Sequence, residues 1–579
     1  MAGTLSSLRL VFEFWRERKG WVVGLLSATI LVTAVSLAFP YVLRLLIDGI
    51  KGGVTRSQLT HYVLFLTGFG ILRAVGDVLL PFARGRVNER YQWVVRSAVF
   101  RRVLEMGHSF QNKYPTGDVM ERLDHDMGEL SWFACSGIFR FVAAALTAVF
   151  ALVIMVRMNP FLTLVTVLPA GLAVIGWLRM GPRMYRWFLQ WREKIAETNN
   201  QLQVAFTGIR LVKAYVMEEK LATRFRATLN DRVAVAVNEA RVESRIFVFY
   251  LAIAEIATLL LLWVGGIQVV SKHLTLGQFV AFNAYIIILI QPMFDIGNLL
   301  VSGRRAQGAA QRIEALQHHP LEVTPPVLPV EPQPGELRLN EVTFGYAERP
   351  VLKVVSMTFP RGRKVGIAGT VGSGKSTIFK LLFRLADPQS GRVTLSGRDI
   401  RELGLDEYRG LFGYAPQEPM LFSDTVRNNI LFGRAAALDR LSHVVELAQL
   451  ATDIAGFPKG LDELLGERGT RLSGGQKARV AIARALVAGP PFLVLDDATS
   501  ALDAETEKEL IQRLVTEFRD RTVIIVSHRL SVLSACDYVY VLDRGAVAEE
   551  GTPAELLGRR GLYWQLYQRQ LLSEELAKM

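Results

Sequence analysis

A glycine-rich segment in the second half of the chain has the residue types needed to hold phosphate groups. Gly369–Thr377, GTVGSGKST, fits the phosphate-loop pattern of two glycines followed by a lysine and a hydroxyl residue. It lies between a predicted strand, Lys364–Ala368, and a predicted helix, Ile378–Leu385. Backbone N–H groups in such a loop surround phosphates, and the helix N-terminus adds positive potential. We therefore predict that nucleotide is bound by Gly369, Thr370, Val371, Gly372, Ser373, Gly374, Lys375, Ser376 and Thr377.

Two kinds of side chain could supply the chemistry beside this loop. Lys375 is predicted to reach the outer phosphates, and the Ser376 hydroxyl is predicted to ligate Mg²⁺. The apolar strand Phe492–Leu495 ends in two carboxylates. The first, Asp496, is predicted to hold Mg²⁺ directly or through water. The second, Asp497, is then placed to orient or deprotonate the attacking water, which makes it the predicted catalytic base.

Three more side chains follow predicted strands and are candidates for the same site. Gln417 follows the apolar segment Leu411–Ala415 and is predicted to complete the Mg²⁺ shell or to sense the γ-phosphate through water. His528 follows the strand Thr522–Val526 and is predicted to contact the γ-phosphate. Tyr346, just past a strand, is predicted to stack on adenine. Taken alone, Tyr346 would be assigned to an exposed turn, and a single histidine at a strand end, such as His528, is more often incidental. The phosphate loop and the strand-end carboxylate are what favour the functional interpretation.

The elements that position these residues have the pattern of a strand–helix domain, which the sequence predicts over residues 336–579. Residues 317–335 contain six prolines, so they cannot continue a helix and are predicted to form a linker. In residues 1–316 the apolar residues form long runs instead. Six of these meet the length of roughly 20 residues that spans a bilayer as a helix. They are Trp21–Leu46, Tyr62–Phe82, Phe133–Val156, Phe161–Leu178, Phe247–Val270 and Phe279–Val301.

The distribution of basic residues predicts how the chain is oriented in the cell (inner or plasma) membrane. The formal net charge is +13, and the arginines and lysines concentrate in two long loops, 83–132 and 179–246. Basic residues mark cytoplasmic loops, so these loops, both termini and the domain over 336–579 are predicted to be cytoplasmic. We therefore attribute the excess of basic residues to the loops that set the orientation of the chain in the membrane, and not to nucleic-acid binding. The two cysteines lie far apart and form no metal-binding pattern.

Both long loops have helical periodicity, so the spans are predicted to continue as helices beyond the bilayer. Each loop is interrupted near its middle, at Tyr114–Asp118 and at Thr207–Ile209. Each break is either an ordinary helix–turn–helix connection or a short transverse helix that docks on a cytoplasmic domain, and the second half of the chain favours the transverse helix. Thr116 or Asp118 is the expected cap of the first. Charged residues inside the spans have either a pairing role or a substrate role; they are Arg44, Arg73, Asp77, Arg140, Glu255 and Asp295.

Together these features resemble the ATP-binding cassette (ABC) exporter family. The most specific match is the signature Leu472-Ser473-Gly474-Gly475-Gln476, in order between the phosphate loop and Asp496. Tyr346, Gln417, the Ser500–Asp503 loop and His528 also fall in family order, and Leu465–Gly469 resembles a segment particular to exporters. The resemblance covers nearly the whole chain. It implies an all-α six-helix transmembrane domain followed by an α/β P-loop nucleotide-binding domain.

The family also implies ATP, Mg²⁺ and a dimer. Each ATP would lie between the phosphate loop of one half and the signature of the other, so Ser473, Gly474, Gly475 and Gln476 would contact nucleotide held by a partner. Closure on ATP and opening after hydrolysis would drive alternating access and export. A fused membrane and ATPase chain argues against an importer, and the six spans exclude a soluble ATPase. An ATP-gated channel or regulator on the same scaffold stays an alternative.

One residue departs from the family pattern, because Asp497 stands where fully active members have glutamate. Aspartate is shorter by one methylene, or about 1.5 Å of reach, and a general base must approach its water within about 3 Å. Such a site resembles the degenerate site of heterodimeric bacterial multidrug and peptide exporters. The hypothesis is that a different partner chain supplies the catalytic glutamate, and the alternative is a homodimer with slow hydrolysis. The substrate is expected to be hydrophobic or peptide-like.

Overall fold

The computed structural model describes residues 9–346, 349–466 and 469–578. From the MAGTLSSLRLVFEFWRERKG sequence we expect an amphipathic helix on the membrane surface before the first span, and its first eight residues lie outside these ranges. Glu467 and Arg468 of the exporter-like segment also lie outside them. The chain divides into two compact units. The first comprises the chain up to Glu105 together with Tyr114–His319, and the second comprises Met106–Lys113 and Pro320–Met579.

The first unit is built from helices. In chain order they are Arg9–Arg16 (α1), Lys19–Gly52 (α2), Arg56–Leu104 (α3), Thr116–Glu121 (α5), Met127–Trp132 (α6), Ile138–Met158 (α7), Pro160–Thr207 (α8), Ile209–Ala214 (α9), Glu218–Leu260 (α10), Gly266–Val270 (α11) and Leu276–Gln317 (α12). The short helix His108–Lys113 (α4) belongs to the second unit. Single π-helical turns at Arg122–Asp126, Phe133–Gly137 and Leu261–Gly265 join α5 to α6, α6 to α7 and α10 to α11.

The six predicted spans all lie within long helices. In the described part of the chain, four continuous helical stretches are long and apolar enough to cross a membrane, namely Lys19–Gly52, Arg56–Leu104, Thr116–Met158 and Glu218–Val270. Two shorter apolar stretches, Pro160–Pro169 and Leu276–Pro292, fall in the fourth and sixth predicted spans. The helices α3, α8 and α10 extend well past their apolar parts, as the periodicity of the two long loops predicted.

The two interruptions lie where the sequence placed them, with one correction. Gly208 separates α8 from α9, which confirms the break at Thr207–Ile209. In the first loop α5 begins at Thr116, but its N-cap residue is Pro115, and no side chain caps it. The prediction that Thr116 or Asp118 caps this helix was therefore wrong. Proline fixes φ near −65° and needs no N–H partner, so it can begin a helix without a side-chain cap.

Most of the charged residues predicted inside the spans pair with one another. Arg73 and Asp77 face each other one turn apart on α3, with Nε and Oδ2 3.6 Å apart. Arg140 and Asp295 pair between α7 and α12 at 3.7 Å. Arg44 pairs with Asp48, whose carboxylate also accepts hydrogen bonds at the start of α12. Pairing thus accounts for five of the six, and the sixth, Glu255, is exposed.

The second unit contains two sheets. Its strands are Leu337–Tyr346 (β1), Arg349–Phe359 (β2), Lys364–Gly369 (β3), Ser390–Leu395 (β4), Arg398–Asp399 (β5), Phe412–Ala415 (β6), Phe492–Asp496 (β7), Thr522–Val526 (β8), Tyr538–Asp543 (β9) and Ala546–Gly551 (β10). An antiparallel sheet has the order β2-β1-β4-β5. A six-stranded sheet has the order β10-β9-β3-β8-β7-β6, in which only β10 runs antiparallel.

The helices of the second unit that follow α12 are Lys375–Leu382 (α13), Leu405–Gly410 (α14), Val426–Leu431 (α15), Leu441–Leu447 (α16), Ala451–Ala455 (α17), Gly474–Leu486 (α18), Ala504–Glu517 (α19), Leu530–Leu533 (α20), Pro553–Arg559 (α21) and Leu562–Lys578 (α22). Strands β3, β7 and β8 are completely buried, as expected for parallel strands covered on both faces. Their carboxyl ends therefore share one edge, where ligands bind in open α/β sheets.

Candidate nucleotide site

The phosphate loop begins at the carboxyl end of β3 and leads directly into α13. Gly374 has a φ of +103°, and a side chain there would place its Cβ 2.7 Å from Leu352. Only glycine fits both the backbone conformation and the space. The helix begins at Lys375 and ends at Leu382 rather than spanning the predicted Ile378–Leu385. The prediction began one turn late because Lys375, Ser376 and Thr377 themselves form the first turn.

The polar groups of this loop turn toward its interior. The Lys375 ammonium donates to the carbonyl oxygens of Gly369 at 3.0 Å and Thr370 at 2.9 Å. The Ser373 hydroxyl is buried and has no hydrogen-bond partner among the residues that the structure describes. A buried unpaired hydroxyl is costly, and a phosphate oxygen would satisfy it. The loop therefore fits a phosphate chain, whereas Val371 at its tip is 91% exposed.

The two carboxylates at the end of β7, Asp496 and Asp497, are both buried. Burial raises the pKa of the Asp496 carboxyl to about 6, and repulsion from Asp497 acts in the same direction. The Tyr414 hydroxyl, which donates to Asp496 at 3.5 Å, and the Lys375 ammonium oppose this rise in pKa. Burial also lowers the pKa of Lys375, against the attraction of both carboxylates. A divalent cation held by Asp496 would stabilise the charged form of that carboxyl.

Asp497 connects the other two predicted catalytic residues. Its Oδ2 accepts a hydrogen bond from Gln417 Nε2 at 3.4 Å, and its Oδ1 accepts one from the backbone N–H of His528 at 3.3 Å. The backbone of Asp497 is left-handed, with φ of +47°, a conformation that aspartate adopts more readily than most side chains. Its own N–H donates to Val526 O at 2.9 Å, which fixes the turn to the neighbouring strand β8. The structure thus brings the side chains of Lys375, Asp496, Asp497 and Gln417 together with the backbone N–H of His528.

Tyr346 lies at the end of β1 and is 40% exposed. Its ring packs edge-to-face against Phe344 with the ring centroids 5.4 Å apart, within the range of about 4.5 to 7 Å that such pairs adopt. The Lys380 ammonium of α13 lies 4.8 Å from its centroid. This position beside the first helix after the phosphate loop is compatible with stacking on a nucleotide base, and the predicted role of Tyr346 stays a prediction.

The signature residues form a helix N-terminus whose first side chain is exposed. Ser473 caps α18: its Oγ accepts from the Gln476 N–H at 3.2 Å, and the Gln476 side chain accepts from the Ser473 N–H at 2.9 Å. The Gln476 amide also donates to Asp453 at 3.0 Å. A Cβ on Gly475 would touch the Ala501 carbonyl at 3.4 Å, so the Ser500–Asp503 loop lies against the signature. Ser473–Gln476 therefore contacts this loop and Asp453.

Arg529 is a residue that the sequence reasoning missed. Its guanidinium donates to the carbonyl oxygens of Leu502 at 3.1 Å and Ser500 at 3.2 Å, and to the buried carboxylate of Glu507 at 2.7 Å. Arg529 thereby connects the segment that follows His528 to the Ser500–Asp503 loop, which packs on the signature. The feature of the sequence that could have pointed to Arg529 is its position directly after His528. An arginine with five donors is suited to bridging several acceptors in this way.

The donor set fits Mg²⁺ with ATP. Ser376, Gln417 and Asp496 would supply oxygen ligands, the kind this cation prefers. Within the described ranges no group of three or more His, Cys, Asp or Glu side chains is clustered for metal binding. When bound, Mg²⁺ would supply positive charge to the phosphate oxygens.

The comparisons with known proteins place the chain in a family. The family model described as ABC transporter transmembrane region matches residues 22–293, and the model described as ABC transporter matches residues 352–500. The chain belongs to the ABC transporters, as an exporter half with a fused helical transmembrane domain and an α/β ATP-binding cassette. It is a multi-pass membrane protein that acts in ATP-driven export, and a half-transporter of this kind requires a dimer partner.

Two relatives and one solved structure span almost the whole chain. A probable multidrug resistance ABC transporter ATP-binding/permease protein of Bacillus subtilis (strain 168) is 32% identical, over 99% of this chain and 98% of its own. An ATP-dependent lipid A-core flippase of Desulfotalea psychrophila is 30% identical, over 94% and 96%. The structure of a bacterial Atm1-family ABC exporter with ATP bound has a TM-score of 0.81 at 29% identity, covering 95% of this chain and 98% of that chain.

Proposed function

We propose that this chain is one half of a heterodimeric exporter and carries its degenerate ATP site. The partner is a different chain that supplies the catalytic glutamate. This chain contributes Ser473, Gly474, Gly475 and Gln476 to the competent site across the dimer. Its own phosphate loop, with Asp496 and Asp497, holds ATP and Mg²⁺ more than it promotes hydrolysis.

The observation that carries this proposal is the environment of Asp497. The residue is 6% exposed, and each of its carboxylate oxygens already accepts a hydrogen bond, one from Gln417 and one from the backbone of His528. A glutamate in the same left-handed turn would carry its oxygens about 1.5 Å further. The shorter aspartate instead links two segments that flank the site. It is therefore better suited to hold the site together than to act as a general base.

The remaining residues have conventional roles in this proposal. Lys375 and Ser373 bind phosphate oxygens, and Tyr346 stacks on adenine. The Mg²⁺ ligands are Ser376, Gln417 and Asp496, and His528 contacts the γ-phosphate. The loop backbone from Gly369 to Thr377 surrounds the phosphates. Both termini, with the domain over 336–579 and the linker over 317–335, lie on the cytoplasmic side of the cell membrane.

The transported substrate is proposed to be hydrophobic or peptide-like. The names of the two relatives refer to multidrug resistance and to a lipid flippase, and hydrophobic compounds are common to both. The pairing of Arg73 with Asp77 and of Arg140 with Asp295 neutralises charge within the helical unit. Neutralised charge favours a path for apolar or amphipathic molecules.

The proposal predicts ATP-driven uptake into inside-out vesicles only when both chains are present. The two chains would be co-expressed, and uptake measured with a panel of hydrophobic dyes and peptides. We expect accumulation that needs ATP, is absent with a non-hydrolysable analogue, and is absent from vesicles containing this chain alone. Equal uptake by vesicles containing this chain alone would show a homodimer and contradict the heterodimer proposal.

A further inference from the structure

Lys380 is the residue of α13 whose charge lies beside the Tyr346 ring. Its ammonium nitrogen is 4.8 Å from the centroid of that ring, within the distance of about 6 Å at which a cation is attracted to an aromatic face. The lysine side chain is half-buried, and within the described ranges of the chain it forms no ion pair with a carboxylate. The tyrosine ring is therefore the group that this charge interacts with.

The position of Lys380 along α13 separates it from the lysine of the phosphate loop. Residues three and four apart are neighbours on one helix face, so Lys380 lies one turn beyond Ser376 and Thr377 in the first turn of α13. Lys375, five residues earlier, lies about 140° away around the helix axis and donates to the loop carbonyls. The two lysines of α13 thus face different parts of the site, the phosphate loop and the tyrosine ring.

A second contact acts on the same ring from the strand side. Phe344, two residues before Tyr346 on β1, is buried in the core of the second unit. Its ring meets the Tyr346 ring at 84°, an edge-to-face arrangement. A side chain that is already held in its binding orientation loses less freedom when the ligand arrives. Phe344 and Lys380 together hold the ring of Tyr346 before any nucleotide binds.

We propose that Lys380 is a positioning residue for the nucleotide base. Its ammonium holds the Tyr346 ring in the orientation that stacks on adenine, and it contacts neither the phosphates nor Mg²⁺. This inference rests on the proposed stacking role of Tyr346. Lys380 therefore raises the affinity for the whole nucleotide without raising the affinity for a phosphate chain alone. A direct contact with a phosphate oxygen is the competing role, because Ser376 lies one turn away at the phosphate end of α13.

Binding of ATP and of inorganic tripolyphosphate to the purified full chain separates the two roles, because tripolyphosphate has no base. Lys380→Met keeps the length of the side chain and the helix propensity but removes the charge. We expect calorimetric titration in the presence of Mg²⁺ to show ATP binding weakened about fivefold and tripolyphosphate binding unchanged. Lys380→Arg, which keeps a cation over the ring, should bind ATP like the wild type. Lys508→Met, at an exposed lysine of α19, is the matched control and should change neither.

A double-mutant cycle with Tyr346→Leu tests whether Lys380 acts through the ring. Tyr346→Leu alone should weaken ATP binding about tenfold, as expected for the loss of one base–aromatic stack. Adding Lys380→Met to that variant should cause no further loss, because the ammonium then has no ring to hold. A lysine that only stabilised α13 would instead give the same fivefold loss with and without the tyrosine.

The outcomes distinguish this inference from the stacking role on which it rests. Equal ATP affinity of Lys380→Met and the wild type, with Tyr346→Leu still impaired, would overturn the role of Lys380 and leave the stacking role standing. Weaker tripolyphosphate binding by Lys380→Met would also overturn it, since the lysine would then serve the phosphates. Normal ATP binding by Tyr346→Leu would reject the stacking role and this inference together.

Discussion

Replacing Ser473 with glutamate is expected to lower ATP turnover of the assembled transporter at least 100-fold. Ser473 is the exposed N-cap of α18, and the positive end of the helix dipole lies behind it. In the proposed dimer this end faces the γ-phosphate of ATP held by the partner. A carboxylate there would repel the phosphate and remove a preorganised donor, a loss that typically costs 10²–10³ in rate. The measurement is the steady-state ATPase rate of the purified pair.

Two further variants separate this effect from a loss of folding. Ser442→Glu places the same charge on an exposed serine in the first turn of α16, and it should leave turnover unchanged. Ser473→Ala removes the cap at a cost of about 1 kcal/mol to the helix without adding charge, and it should give an intermediate rate. If Ser473→Glu turns over ATP like the wild type, the signature does not serve a nucleotide across the dimer.

Replacing Lys375 with alanine is expected to weaken ATP binding by this chain roughly 100-fold or more. The ammonium is buried, holds the loop through the Gly369 and Thr370 carbonyls, and attracts the buried carboxylates Asp496 and Asp497. Its removal takes away the cation that faces the phosphates and leaves both carboxylates less compensated. Calorimetric titration of the purified chain with ATP measures the change.

The same variant also tests the asymmetry of the pair. Lys508→Ala, which removes an exposed lysine of α19, is the control and should bind ATP normally. In the assembled transporter Lys375→Ala should reduce turnover much less than Ser473→Glu does, because it acts on the site proposed not to hydrolyse. Unchanged ATP binding by Lys375→Ala would show that this loop is not the nucleotide site. Equal loss of turnover in both variants would contradict the asymmetry.

The sequence was sufficient for the parts of the fold that depend on local pattern. Glycine spacing and strand-end polar residues predicted which side chains would meet at the edge of the six-stranded sheet, because parallel strands end together there. Apolar run length predicted the helices that contain the spans. Helix ends were less accurate: Pro115 rather than Thr116 precedes α5, and α13 begins at Lys375. The first error arose because proline can begin a helix without a side-chain cap, and the second because Lys375, Ser376 and Thr377 themselves form the first turn of α13.

The contacts that distinguish this chain required the structure. No local pattern shows that Arg529 reaches Ser500, Leu502 and Glu507, because those residues lie in a different helix and loop. No local pattern shows either that the Asp497 carboxylate accepts hydrogen bonds from the Gln417 side chain and from the His528 backbone N–H. These are contacts between segments far apart in sequence. The sequence showed only that Asp497 is shorter than the glutamate expected there. The structure shows in addition that its carboxylate links two segments of the site.

The most direct test of the degenerate site is ATP turnover by this chain purified alone, compared with its Asp497→Asn variant. The variant keeps the size of the side chain and an acceptor oxygen while removing the charge that a general base requires. We predict a low rate that is the same for both proteins, since Asp497 is proposed to hold the site together rather than to accept a proton. Robust hydrolysis by the wild-type chain that Asp497→Asn abolishes would show that Asp497 is a working base and would contradict the degenerate-site proposal.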